Sequence, residues 1–139
     1  MAKPPKVGVF LFNGYQELEF WYPVLRLREA GADVVVIGIA GAEAATSQLG
    51  YPVVPNVALA QCAPREFDAL VLPGGKTAEL SENAALGRFI DEAAANGAVL
   101  AAASQAASLV PRGKNALVAR TTDDVPQWTR SLLNSLQRT

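Results

Sequence analysis

The chemistry this chain can offer gathers in three short stretches. Residues 97–110, GAVLAAASQAASLV, run from an apolar segment into Ser104 and then into small residues that can open a helix. A strand that turns sharply into a helix at a Ser or Cys, between residues too small to clash, is a nucleophile elbow. Ala102 and Ala106 stand where that motif prefers Gly, with Ser104 at the tip. The same letters also fit an Ala-rich buried strand followed by a loop, with Ser104 a satisfied hydroxyl. Gly74 and Gly75, closing the apolar run FDALVLP, can let backbone N–H groups approach an oxyanion; a tight turn needing positive φ is the equal alternative. Glu19, near the start of the first helical pattern, is the candidate carboxylate beside Ser104, against the plainer reading of a helix-start acid favoured by the dipole.

Composition limits what these residues can do. The 139 residues hold no histidine, which removes the usual general base, the Ser-His and Cys-His dyads and most zinc or copper sites. No cofactor and no metal site is expected. The single Cys62 excludes an internal disulfide, fits a reducing cytoplasm and reads as a small buried or half-buried thiol rather than a reactive one. Twelve basic and thirteen acidic residues give a net charge of −1, against a general nucleic-acid binder with its basic stripe. No apolar run reaches the length of a membrane span, and no signal peptide is evident.

The elements that must position the three stretches follow from periodicity. Residues 6–12, KVGVFLF, form a continuous apolar run bounded by Pro4-Pro5 and Asn13-Gly14, as expected of a strand buried on both faces. Residues 16–30 have helical spacing. Leu18, Trp21, Tyr22 and Leu25, with Leu27 and Ala30, are expected to form the inner face, Pro23 to bring a kink or an irregular first turn, and Gly31 to end the helix. Residues 33–40 give a second buried strand, completing β-α-β. Residues 50–55 read as an extended excursion at an edge, where proline is tolerated. Strands at 67–73 and 98–102 flank a helix over 83–95. A turn at 111–115, a short strand at 116–120 and a helix from Val125 to about Gln137, capped by Asp123 and Asp124, close the chain. Half the residues are apolar, enough for one domain over residues 1–139 and too few for two. In open parallel sheets, ligands bind beyond the carboxyl ends of the strands, where all three stretches arrive.

Taken together, KVGVFLFNGYQELEFWYPVLRLREAGADVVVIG at 6–38, FDALVLPGG at 67–75, GAVLAAASQAASL at 97–109 and ALVARTTDDVPQWTRSLL at 116–133 resemble the DJ-1/PfpI family (ThiJ/PfpI) of the class I glutamine amidotransferase-like superfamily. The resemblance covers most of the chain. It implies a flavodoxin-like three-layer α/β sandwich, with a mostly parallel sheet of about five or six strands and helices on both faces. It also implies a cysteine nucleophile at the elbow, commonly in an Ala-Ile-Cys-His-Gly setting. Here those positions read Ala102-Ala103-Ser104-Gln105-Ala106. The acid beside the cysteine resembles Glu19, an acid often found three residues earlier is Gln16, and the oxyanion-side glycines are Gly74 and Gly75. Family members are also several dozen residues longer between the elbow helix and the final strand. One strand-helix portion is therefore expected to be missing, and with it one wall of the pocket.

The family's activities (protease or amidase, glyoxal-type hydration, chaperone-like protection, isonitrile hydration) all imply the cysteine and do not transfer. A serine hydroxyl needs an adjacent base, and a carboxylate is a poor one. No motif brings a lysine to Ser104, Lys76 being the least remote. The leading expectation is a non-catalytic homodimer whose remodelled pocket, with Ser104, Gln105, Gln16 and Lys76 around it, binds a small molecule or a protein partner. An enzyme of altered mechanism (hydrolase, hydratase or isomerase) using Ser104, Glu19 and the glycine pair is the alternative. A structural or assembly role with a relic site is the third reading.

Overall fold

The computed structural model describes residues 3–111, 113 and 115–137. Arg112 and Lys114, in the turn expected at 111–115, lie outside the described residues. Eight strands and three α-helices follow in the order β1 (Lys6–Leu11), α1 (Glu17–Glu29), β2 (Asp33–Gly38), β3 (Ala45–Thr46), β4 (Pro52–Val53), β5 (Val57–Ala58), β6 (Ala69–Leu72), α2 (Ala84–Ala95), β7 (Val99–Ala103), β8 (Ala116–Ala119) and α3 (Val125–Gln137). Six strands make one sheet in the order β5-β2-β1-β6-β7-β8, and all five pairings are parallel. The expected excursion around 50–55 is an antiparallel two-stranded pair, β3 with β4.

Four of the central strands read as uninterrupted apolar runs because both faces are covered. In β6 all four residues are buried, and in β1 all but Lys6. Helices α1 and α3 pack together on one face. On the other face, Phe89 of α2 meets the rings of Phe10 and Phe67 at 5.9 and 6.1 Å between centroids. The two faces follow from handedness: crossovers are right-handed, so β1 to β2, running one way along the sheet, and β6 to β7, running the other, put their helices on opposite sides.

Helix α1 runs unbroken through Pro23. At its end the N–H of Ala32 reaches the Leu27 carbonyl and that of Gly31 the Arg28 carbonyl, a Schellman stop with Gly31 at φ +94°. Its inner face matches the sequence expectation only in part: Leu27 is buried as expected, and Trp21, Tyr22 and Ala30 are partly buried. Phe20, Val24 and Leu27 are fully buried and Pro23 is buried too, whereas Leu18 and Leu25 are 43% and 58% exposed. Positions 20, 23, 24 and 27 obey helical spacing as well as the expected set does. Glu19 lies on the same buried face, where it reaches the sheet edge. The buried Phe20, Val24 and Leu27 side chains each contribute about 1.5–3 kcal/mol of transfer energy.

The connection from β7 to β8 is the unusual one. A right-handed crossover in this direction calls for a helix on the α2 side. The described residues between Ser104 and Asn115 supply a 3-10 segment, Ser104–Leu109, and no α-helix. Strand β8 is held instead from the α3 side, where Trp128 Nε1–H donates to the Leu117 carbonyl at 3.1 Å. Val118 is left 50% exposed. Among the described residues no helix is long and apolar enough to cross a membrane.

Candidate functional site

Strand order reverses between β1 and β6, and a crevice opens at such a switch point beyond the carboxyl ends. Three segments meet there. The loop after β1 is strapped to the loop after β6 by backbone bonds from Gln16 N–H to the Gly74 carbonyl (2.9 Å) and from Lys76 N–H to the Gly14 carbonyl (3.0 Å). The end of β7 delivers Ser104 to the same edge.

Glu19 is the centre of the arrangement. It is 1% exposed, and both carboxyl oxygens accept: Oε1 from Gly74 N–H at 2.8 Å, Oε2 from the Ser104 hydroxyl at 2.7 Å. A buried carboxyl group without partners would be costly; here two donors from two other segments satisfy it. Its own N–H donates to Oε1 of Gln16 at 2.8 Å, so Gln16 serves as the N-cap of α1. That side-chain oxygen is occupied in holding the helix start.

Ser104 stands at φ 51°, the one non-glycine residue with positive φ among those described. The left-handed conformation costs an L-residue about 1–2 kcal/mol, and it persists because the hydroxyl is tied to Glu19 and Ala103 and Ala106 are packed at 0% exposure on either side. This is the backbone of an elbow. The alanine-rich segment is thus both things its letters fit: a buried strand, and a strained turn with Ser104 at its tip.

The two glycines have different reasons. At Gly74 a Cβ would lie 2.6 Å from Glu19 Oε1, 2.7 Å from Gln105 Oε1 and 2.9 Å from the Ala103 carbonyl, so the residue is glycine to admit neighbours. Gly75 has φ +120°, and a Cβ there would lie 2.3 Å from the Gly14 carbonyl; it is glycine for conformation and for space. Of the alternatives read from the sequence, the tight turn needing positive φ holds at Gly75.

The N–H of Gly75 points to the position an oxyanion would seek, and the chain fills it. Gln105 Oε1 accepts from it at 3.1 Å. Gln105, itself exposed, bridges the β7 and β6 loops. Lys76 is also exposed, and its stem covers Gly14; nothing links its ammonium to Ser104. Cys62 lies elsewhere, half-buried after β5, with Sγ facing the Ala58 and Leu59 carbonyls. Burial, with the negative charge of Glu66 second, pushes its thiol above the ordinary range against a weaker opposite pull from Lys6.

Beside the short β7–β8 connection a groove of about 840 Å³ is lined by Ser104, Gln105 and Arg120 at the carboxyl edge and by Val110, Ala116 and Val118. Sequence reasoning foresaw a lost wall but missed Arg120. The signal was present: the residue after a parallel edge strand emerges at the carboxyl edge of the sheet.

This constellation is held by a fold with known relatives. The model of the DJ-1/PfpI family matches residues 5–134. The chain belongs to the DJ-1/PfpI family. A crystal structure of Drosophila melanogaster DJ-1beta superposes with a TM-score of 0.90 at 22% identity, over 96% of this chain and 91% of that one. A DJ-1 superfamily protein of Salmonella typhimurium gives 0.86 at 24%, over 96% and 90%. By sequence, an uncharacterised protein of Staphylococcus saprophyticus is 28% identical over 172 positions, taking in 98% of this chain and 99% of the relative. That span exceeds the chain's 139 residues, so the relative carries stretches without a counterpart here. A deglycase of Thermococcus kodakarensis is 39% identical over 75 residues, 54% of this chain and 45% of the relative. The Drosophila dj-1beta protein is 32% identical over 106 residues, 75% and 57%. The chain thus spans about half the length of these last two curated relatives. The DJ-1/PfpI elbow is present here with Ser104-Gln105 at its tip.

Proposed function

We propose that this DJ-1/PfpI protein is a cytoplasmic, homodimeric binding protein of a single domain, which captures a small molecule or a protein partner at its elbow site without turning it over. The observation that carries the reading is Gln105 Oε1 on Gly75 N–H. An acyl-transfer site needs that donor free and aimed at developing negative charge, and here a side-chain carbonyl already takes it. The second support is the direction of the Ser104 proton. It goes to Glu19 Oε2, and a carboxylate is a weak base for an alcohol, which ordinarily needs an imidazole or amine to become a nucleophile. Gly74 N–H, the other glycine donor, is engaged by Glu19 as well.

A specific observation favours a second reading. The strained φ of Ser104 is the geometry that exposes a nucleophile in working elbows. On that reading Ser104 is the nucleophile, Glu19 its orienting partner and the Gly74-Gly75 loop the oxyanion side, with a hydrolase, hydratase or isomerase activity. Deglycase activity, the name of the Thermococcus relative, then becomes the first substrate assay.

Intact-mass spectrometry after exposure to a fluorophosphonate separates the two. The binding reading expects no adduct on wild type or on Ser104→Ala. One phosphonyl adduct on wild type, formed with loss of fluoride and absent from Ser104→Ala, overturns it and makes Ser104 an activated nucleophile.

A further inference from the structure

The groove left by the short β7–β8 connection has a definite chemistry. Register pairs Ala103 of β7 with Ala119 of β8, so Ser104 and Arg120 leave the sheet at one level on neighbouring strands, a strand spacing apart or about 5 Å. Arg120 is exposed and lines the groove with Ser104 and Gln105. Among the described residues its guanidinium has no ion pair. Of the two acids that follow it, Asp123 and Asp124, neither forms an ion pair with it among the described residues, and Asp124 is turned to the backbone, its Oδ2 accepting from the N–H groups of Arg120 and Thr121 at 3.2 and 3.4 Å.

The groove's described lining contains no acid. Gln105, whose Oε1 is fixed on Gly75 N–H, keeps its amide NH2 as a donor beside the same opening. The rest of the wall is apolar: Val110, Ala116 and the half-exposed Val118. The Arg120 guanidinium, the Gln105 amide also in the lining, no negative side chain among the described lining residues and an apolar flank describe a receptor for an anion with a hydrocarbon tail. Glu19 is not among the described lining residues, its two oxygens being taken by Gly74 N–H and the Ser104 hydroxyl.

We propose that this groove binds a small aliphatic carboxylate, its head on the Arg120 guanidinium and the Gln105 amide and its tail along Val118, Ala116 and Val110. Arginine suits the task because its planar fork meets both oxygens of a carboxylate. The inference deepens the binding reading by naming a ligand class, and it rests on that reading only for the absence of turnover.

Calorimetric titration with hexanoate, hexanamide and acetate is the test, on wild type, Arg120→Gln and Val118→Asp. Hexanoate is expected to bind wild type at least tenfold more tightly than hexanamide, which lacks the charge, or acetate, which lacks the tail. Arg120→Gln is expected to erase the preference for hexanoate over hexanamide, and Val118→Asp to weaken hexanoate about tenfold, each with an unchanged circular dichroism spectrum. Equal affinity for acid and amide, or an unchanged preference in Arg120→Gln, overturns the proposal. The outcomes are independent of the fluorophosphonate result: an adduct on Ser104 refutes the non-catalytic reading with the carboxylate groove intact, and failure of hexanoate refutes the groove chemistry with that reading intact.

Discussion

Replacing Ser104 by glycine should leave the protein more stable than replacing it by alanine, the reverse of the order in a helix or strand interior. Both changes delete the hydroxyl and its 2.7 Å bond to Glu19 Oε2. The buried carboxyl then has one donor fewer, a loss of about 1–3 kcal/mol common to the two. They differ in the backbone. Alanine keeps a Cβ at φ 51° and with it the left-handed strain of about 1–2 kcal/mol. Glycine removes that strain and gives back about 0.5–1 kcal/mol through the greater freedom of its unfolded chain. The difference favours glycine by roughly 0.5–1 kcal/mol. Urea unfolding followed by tryptophan fluorescence reads this directly: with a slope of about 1.5 kcal/mol/M, the glycine midpoint lies about 0.5 M above the alanine one. Both variants should unfold at lower urea than wild type. An alanine midpoint equal to or above that of glycine would refute the claim that the elbow stores backbone strain at Ser104.

Two further outcomes follow from the same geometry. Gly74→Ala drives a Cβ to within 2.6 Å of Glu19 Oε1 and 2.7 Å of Gln105 Oε1; overpacking and the disturbed bond to Glu19 together should cost about 2–4 kcal/mol in the same urea experiment, and a cost below 0.5 kcal/mol, about the level of an ordinary surface change, would contradict the tight approach. Cys62, its thiol pushed up by burial and then by the charge of Glu66, should react with Ellman's reagent at pH 8 several-fold more slowly in the folded protein than in urea, because the thiolate is the reacting form; equal rates would show the thiol to be open.

The sequence by itself determined the sheet, the family and the neighbourhood of the site. Continuous apolar runs at β1, β2, β6 and β7 mark strands covered on both faces, and that pattern survives reading without any partner strand in view. Gly31, ending α1, was legible because a left-handed stop needs only local chemistry. Tertiary structure decided the rest. Nothing local distinguishes the helix face containing Phe20, Val24 and Leu27 from the one containing Leu18 and Leu25. The difference lies in tertiary contacts, among them those of Glu19, which finds its two donors 55 and 85 residues away. The occupation of Gly75 N–H by Gln105 depends on the register of β6 with β7, and the emergence of Arg120 beside Ser104 on that of β7 with β8. Register is set by how side chains from distant segments fill one core, and a linear string of residue types does not contain it.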